Sequence, residues 1–114
     1  MQNLEQIRSA NAIQPATRLD RSAVNKLPAM IIANGLLATA AFCEADGGGD
    51  NRSQMKRALD ATTDHLSKRG LITAGKFTTK DLIAALAAGD SHQLQRATSE
   101  ALAFIAYLKR FAPK

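Results

Sequence analysis

Ser91-His92-Gln93-Leu94-Gln95-Arg96-Ala97-Thr98-Ser99-Glu100-Ala101-Leu102-Ala103-Phe104-Ile105-Ala106-Tyr107-Leu108-Lys109-Arg110-Phe111-Ala112 puts apolar residues at spacings of three and four. Leu94, Ala97, Ala101, Phe104, Leu108 and Phe111 make the seam, which runs for nearly three heptads. A helix turns once per 3.6 residues, so the seam falls on one face and must be covered. Its length suits a compact bundle or a partner helix rather than an extended coiled coil. The chain is therefore read as all-α from its C-terminal end outward.

The preceding segments carry the same signature. Thr78 with Asp81 reads as a capping box before a short helix from Leu82 to Ala88, which Gly89 ends. A helix over about Asn51 to Arg69 has Asp50 as a candidate N-cap, Gly70 as its stop and Met55, Leu59, Thr62 and Leu66 as its inward stripe. Gly47-Gly48-Gly49-Asp50 is the clearest flexible linker. Before it, a longer helical region spans about Asp20 to Ala45. At the start, Leu4, Ile7, Ala10 and Ile13 recur at helical spacing until Pro15. No alternating run demands a sheet. The expectation is one domain over residues 1–114, a bundle of about five helices.

Composition agrees. Ala, Leu and Ile dominate, Val24 is the sole valine and Trp is absent, so the core is aliphatic and favours helix over strand. Within the longer region, Lys26-Leu27-Pro28-Ala29-Met30-Ile31-Ile32-Ala33-Asn34-Gly35-Leu36 sets Pro and Gly inside a strong helical pattern. One reading starts a fresh helix at Pro28, where a missing N–H costs nothing. The other is a kinked helix whose Gly35 lets a neighbouring backbone come close. The uncharged run Leu27–Cys43 has 17 residues interrupted by Pro28, Asn34 and Gly35, which suits a buried helix better than a membrane span.

The formal net charge is +5, which nucleic-acid partners tolerate but do not require. The excess is central: residues 47–80 hold seven Lys/Arg against three Asp/Glu, whereas residues 1–46 hold four of each. Arg52, Lys56, Arg57, Lys68 and Arg69 lie mostly opposite the Met55–Leu59 stripe. Asp60 and Asp64 share that face, four residues from Lys56 and Lys68, so ion pairs within the helix account for part of the pattern. Tyr107-Leu108-Lys109-Arg110-Phe111 interleaves aromatics with base, as stacking on unpaired bases and phosphate binding require. Cations in a last helical turn also complement the helix dipole.

Enzyme signals are poor. His65 and His92 lack metal-ligand spacing to another His or Cys, and Cys43 sits in an apolar stretch as a small core residue. The three consecutive glycines lack a following Lys-Ser/Thr, so no phosphate loop is formed. A non-catalytic protein with no cofactor and no metal is expected. One cysteine excludes an internal disulfide, and the first residues lack the regions of a secretion signal, so a cytoplasmic location is expected.

Two segments carry the reading further. Lys26-Leu27-Pro28-Ala29-Met30-Ile31-Ile32-Ala33-Asn34-Gly35-Leu36-Leu37-Ala38-Thr39-Ala40-Ala41-Phe42 resembles the hallmark of the small-subunit family of type III-B (Cmr-type) CRISPR RNA-silencing complexes. Its pattern is Lys-Leu-Pro, a hydrophobic stretch, Gly-Leu and then Ala-Phe. Glu100 to Ala112, with Lys-Arg-Phe-Ala behind an aromatic, is similar to that family's closing helix.

The resemblance implies a structural subunit for antiviral defence that stacks with its own copies in a short filament. Its partners would be the repeating backbone subunits, the polymerase-like large subunit, and the guide RNA–target RNA duplex. Target cleavage would belong to the backbone subunits, and guide pairing would read sequence while proteins bind shape and phosphate. Lys26, Lys109 and Arg110 match motif positions as RNA or subunit contacts, and Arg18 and Arg21 join them on charge alone. Lys56, Arg57, Lys68 and Arg69 form a secondary basic face, and Pro28 and Gly35 are assigned to shape. Two other readings remain open: a free-standing helical DNA-binding regulator, and a helical adaptor without nucleic acid. Residues 71–90 offer almost no polar contact residues for a recognition helix, which counts against the regulator.

Overall fold

The computed structural model describes residues 1–45 and 48–113. Seven helical segments follow one another among the described residues: α1 (Leu4–Ala16), α2 (Arg21–Val24), α3 (Leu27–Asn34), α4 (Leu36–Glu44), α5 (Gly49–Lys68), α6 (Thr79–Ala88) and α7 (Ser91–Phe111). The five expected helical regions are all present, and the second divides into three pieces. Residues that cannot continue a helix cause the divisions. Pro28 stands in the first turn of α3, where its absent N–H forfeits no bond. Gly35 adopts φ +91°, ψ 160°, a conformation open essentially to glycine, and separates α3 from α4. The fresh-start reading of Pro28 is therefore the right one. Gly35 is needed for its dihedrals, not for close approach, since a Cβ there would meet nothing within 4 Å.

Side chains close the helix ends. Asn3 and Gln6 form a reciprocal capping box on α1, and Pro15 lies inside its last turn rather than beyond it. Asp20 and Asp90 accept from backbone N–H groups at the starts of α2 and α7. Thr78 caps α6 as expected. The N–H of Thr79 donates to Asp60 of α5 at 2.6 Å, so the start of α6 is tied to its neighbour. Gly70, at φ +73°, ends α5 in a Schellman turn, with Gly70 N–H donating to Ser67 O and Leu71 N–H to Leu66 O. Asp50 is not the N-cap of α5: Gly48 is, and Gly49 and Asp50 form the first turn. Of the expected linker, Gly47 lies outside the described residues.

The two longest helices are the hubs. α5 packs against α1, α2, α4, α6 and α7, while α7 packs against α1, α2, α3 and α5. Met55, Leu59 and Leu66 of α5 and Ala97, Ala101, Phe104 and Leu108 of α7 are all buried. Thr62 and Thr63 are buried beside them with their hydroxyls satisfied, each donating to the carbonyl four residues back at 2.8 Å. Cys43 is buried in the core, and that burial pushes its thiol up to about 11.

Some apolar residues fall outside the core. Phe111, the last residue of the C-terminal seam, is exposed, as are Leu4 and Ile13 of α1. The Leu27–Cys43 stretch is only half interior. Leu27, Ile31, Leu36, Ala40 and Cys43 face the core, whereas Ala29, Ile32 and Ala33 form an exposed stripe on α3 with Lys26 one turn earlier. No helix among the described residues is long and apolar enough to cross a membrane.

Candidate functional site

α7 begins at its Asp90 cap and carries its basic pair, Lys109 and Arg110, into its last turn, where both side chains are exposed. The usual duty of such cations is to neutralise the C-terminal carbonyls. Here Arg21 of α2 does so instead: its Nε donates to Ala112 O at 3.0 Å and an Nη to Arg110 O at 3.3 Å. The Arg110 guanidinium lies 5.9 Å from the Tyr107 ring centroid, within cation–π range. Of the five primary contact candidates, the structure thus joins Arg21 to Arg110 and gives Arg21 a structural task. Arg18, Lys26, Lys109 and Arg110 are exposed and lie in no ion pair among the described residues.

The secondary face is partly self-neutralised. Lys68 pairs with Asp64 at 3.2 Å across one helical turn, as its spacing suggests. Lys56 does not pair with Asp60, whose carboxylate is taken by Thr79. It lies 3.3 Å from Glu44 of α4 instead, an ion pair by distance without hydrogen-bond geometry. Arg57 and Arg18 border a cavity of about 410 Å³ with the exposed ring of Phe77, and Asp60 and Asp64 share its rim. Arg52 packs its guanidinium 4.1 Å from the Phe42 ring centroid.

A polar cluster that sequence spacing did not disclose links α1, α5 and α7. Arg8 grips Glu100 with two parallel bonds of 2.8 Å, through Nε and an Nη. Glu100 Oε2, which accepts from Arg8 Nε, also lies 2.9 Å from His65 Nε2, while His65 Nδ1 lies 3.0 Å from the Asn11 amide nitrogen. These partners fix one tautomer: Nε2–H donates to Glu100, and Nδ1 accepts from Asn11. The imidazole is buried and stacks on Phe104, with centroids 4.1 Å apart and planes 7° from parallel. Burial holds the His65 pKa below 6.5, outweighing the upward pull of the Glu100 hydrogen bond. The Arg8 hydrogen bonds draw Glu100 down to about 2 against the opposing effect of burial. Arg8, Asn11, His65 and Glu100 are separated by up to 92 positions, so no motif flags them. The cluster holds three helices together with every partner engaged, which is the chemistry of a core network. Among the described residues, no group of three or more His, Cys, Asp or Glu is placed to hold a metal.

A family model described as "CRISPR-associated protein (Cas_Cmr5)" matches residues 2–114. The chain belongs to this family. Membership makes it a CRISPR-associated Cmr subunit, in agreement with the two motifs at Lys26–Phe42 and Glu100–Ala112. No curated protein and no solved structure matches the chain.

Proposed function

We propose that this Cmr subunit is a non-catalytic structural component of a type III-B effector, stacking in a short filament beside the guide RNA–target RNA duplex in the cytoplasm. The observation that carries the reading is the division of labour at the end of α7. Arg21 binds two of the terminal carbonyls, those of Arg110 and Ala112, while the Lys109 and Arg110 side chains are exposed and lie in no ion pair among the described residues. They lie on the segment that resembles the family's closing helix, and exposed Lys26 lies on the other such segment. The bare Ala29–Ile32–Ala33 stripe beside Lys26 supports a role inside an assembly, since exposed apolar surface is ordinarily covered by a partner. The non-catalytic reading is supported by the chemistry present: both His65 ring nitrogens are engaged inside a buried network, and the Cys43 thiol is buried and pushed up to about 11.

Charge reversal at the motif is the test. With Lys109→Glu and Arg110→Glu together, the melting temperature should fall only slightly, while incorporation with the other Cmr subunits or protection of target RNA should drop strongly. Electrostatic repulsion at a contact surface acts on assembly more than on folding. Arg57→Glu, on the partly self-neutralised face, should do less. Normal assembly and protection by the double variant would remove the motif from the contact surface.

A further inference from the structure

Arg8 and Glu100, the outer members of the buried cluster, form one wall of an open cavity of about 540 Å³, bordered also by Arg69, Leu71, Gln95, Arg96 and Ser99. Gln95, Arg96, Ser99 and Glu100 lie on one face of α7, and Arg69 is the C-cap residue of α5. Glu100 is the cavity's one acidic side chain, and its charge is matched by Arg8 through the twin hydrogen bonds. Arg69 and Arg96 are exposed and lie in no ion pair among the described residues, so the lining retains two uncompensated positive charges. Gln95 and Ser99 add neutral donors. The volume falls in the range of roughly 300–1,000 Å³ that accepts a small-molecule-sized group, more than a bare phosphate needs.

We infer that this cavity holds a phosphodiester of an RNA backbone with part of its nucleotide, Arg69 and Arg96 clamping the phosphate and Ser99 and Gln95 completing its hydrogen bonds. Paired guanidinium groups are the preferred donors to phosphate. The buried cluster then has a purpose beyond stability. It holds Arg8 rigid, cancels Glu100, and keeps three helices at the spacing the clamp needs. This assignment rests on the RNA-flanking reading above and adds a second, separate contact point to it.

The experiment compares the full-length parent with an Arg69→Gln/Arg96→Gln double variant and with Ser99→Glu, in binding to an oligouridylate over a range of salt. Both sites of change are exposed, and unchanged helical circular dichroism serves as the folding control. The double variant should lose about tenfold in affinity, in keeping with charge-assisted hydrogen bonds, and its log–log salt slope should become shallower by about 0.7, one single-strand phosphate. Ser99→Glu should weaken binding similarly. Inorganic phosphate, titrated alone, should shift the amide resonances of Gln95 and Ser99. Unchanged affinity and slope in both variants, with RNA still bound by the parent, would overturn the site and leave the RNA-flanking reading standing. Phosphate shifts without any effect of the variants on RNA would make this a free-anion site and overturn the proposal. A parent that binds no RNA, alone or within the complex, would overturn both.

Discussion

Gly35 shows how one residue sets the course of the chain. Its φ of +91° with ψ 160° is accessible only without a side chain, although open space surrounds the place a Cβ would occupy. Gly35→Ala should therefore cost about 1–3 kcal/mol through backbone strain alone, read as a fall in denaturation midpoint without a change in the buried contacts. The His65–Glu100 pair makes a different single-residue claim. Glu100 has its pKa depressed to about 2, so its contribution is present above the unfolded value and is lost as pH falls from about 4.5 towards 2. His65, also depressed, favours unfolding once the unfolded imidazole protonates, from pH 6.5 downward. Both effects run the same way. Stability should decline in two stages on acidification, and Glu100→Gln should abolish the lower one, as followed by urea denaturation at graded pH. Gly35 was legible in the sequence as an anomaly but not in its cause. The cluster was not legible, because its members touch only after three helices have packed.

At the scale of elements, helix period and breakers were readable, and side-chain partners across elements were not. The inward stripe of α5 and the Thr78 cap of α6 follow from spacing within one helix. That Asp60 ties down Thr79, or that Lys56 turns to Glu44, depends on how α4, α5 and α6 meet. Phe111 continues the C-terminal periodicity yet is exposed, although Leu108 and Ala112 in the same turn are buried. Arg21 is the most consequential of these cross-element contacts. It was grouped with the contact residues on charge, but its guanidinium closes α7 from α2. Arg21→Leu should release the carbonyls of Arg110 and Ala112 and destabilise the fold by about 1–2 kcal/mol. Faster amide exchange confined to the last turn of α7 and its α2 contact would report it. Loss of RNA contact with no fraying of α7 would instead return Arg21 to the binding surface.

The whole molecule is a two-hub bundle whose exposed basic side chains come from several elements. Lys109 and Arg110 lie at the end of α7, Lys26 at the start of α3, and Arg69 with Arg96 at the cavity by the buried cluster. A monomer with so few phosphate contacts at any one place should hold RNA weakly, with a salt slope near −2 for about three contacts. Copies set side by side would gain by making later contacts intramolecular. The most direct measurement is recovery of the tagged, full-length chain from cells that express the complete effector, followed by protein identification and sequencing of the nucleic acid retained. The expected result, for a structural Cmr subunit, is the other Cmr subunits together with guide RNA. Recovery of the chain alone with sequence-specific duplex DNA, or with protein partners and no RNA, would contradict it.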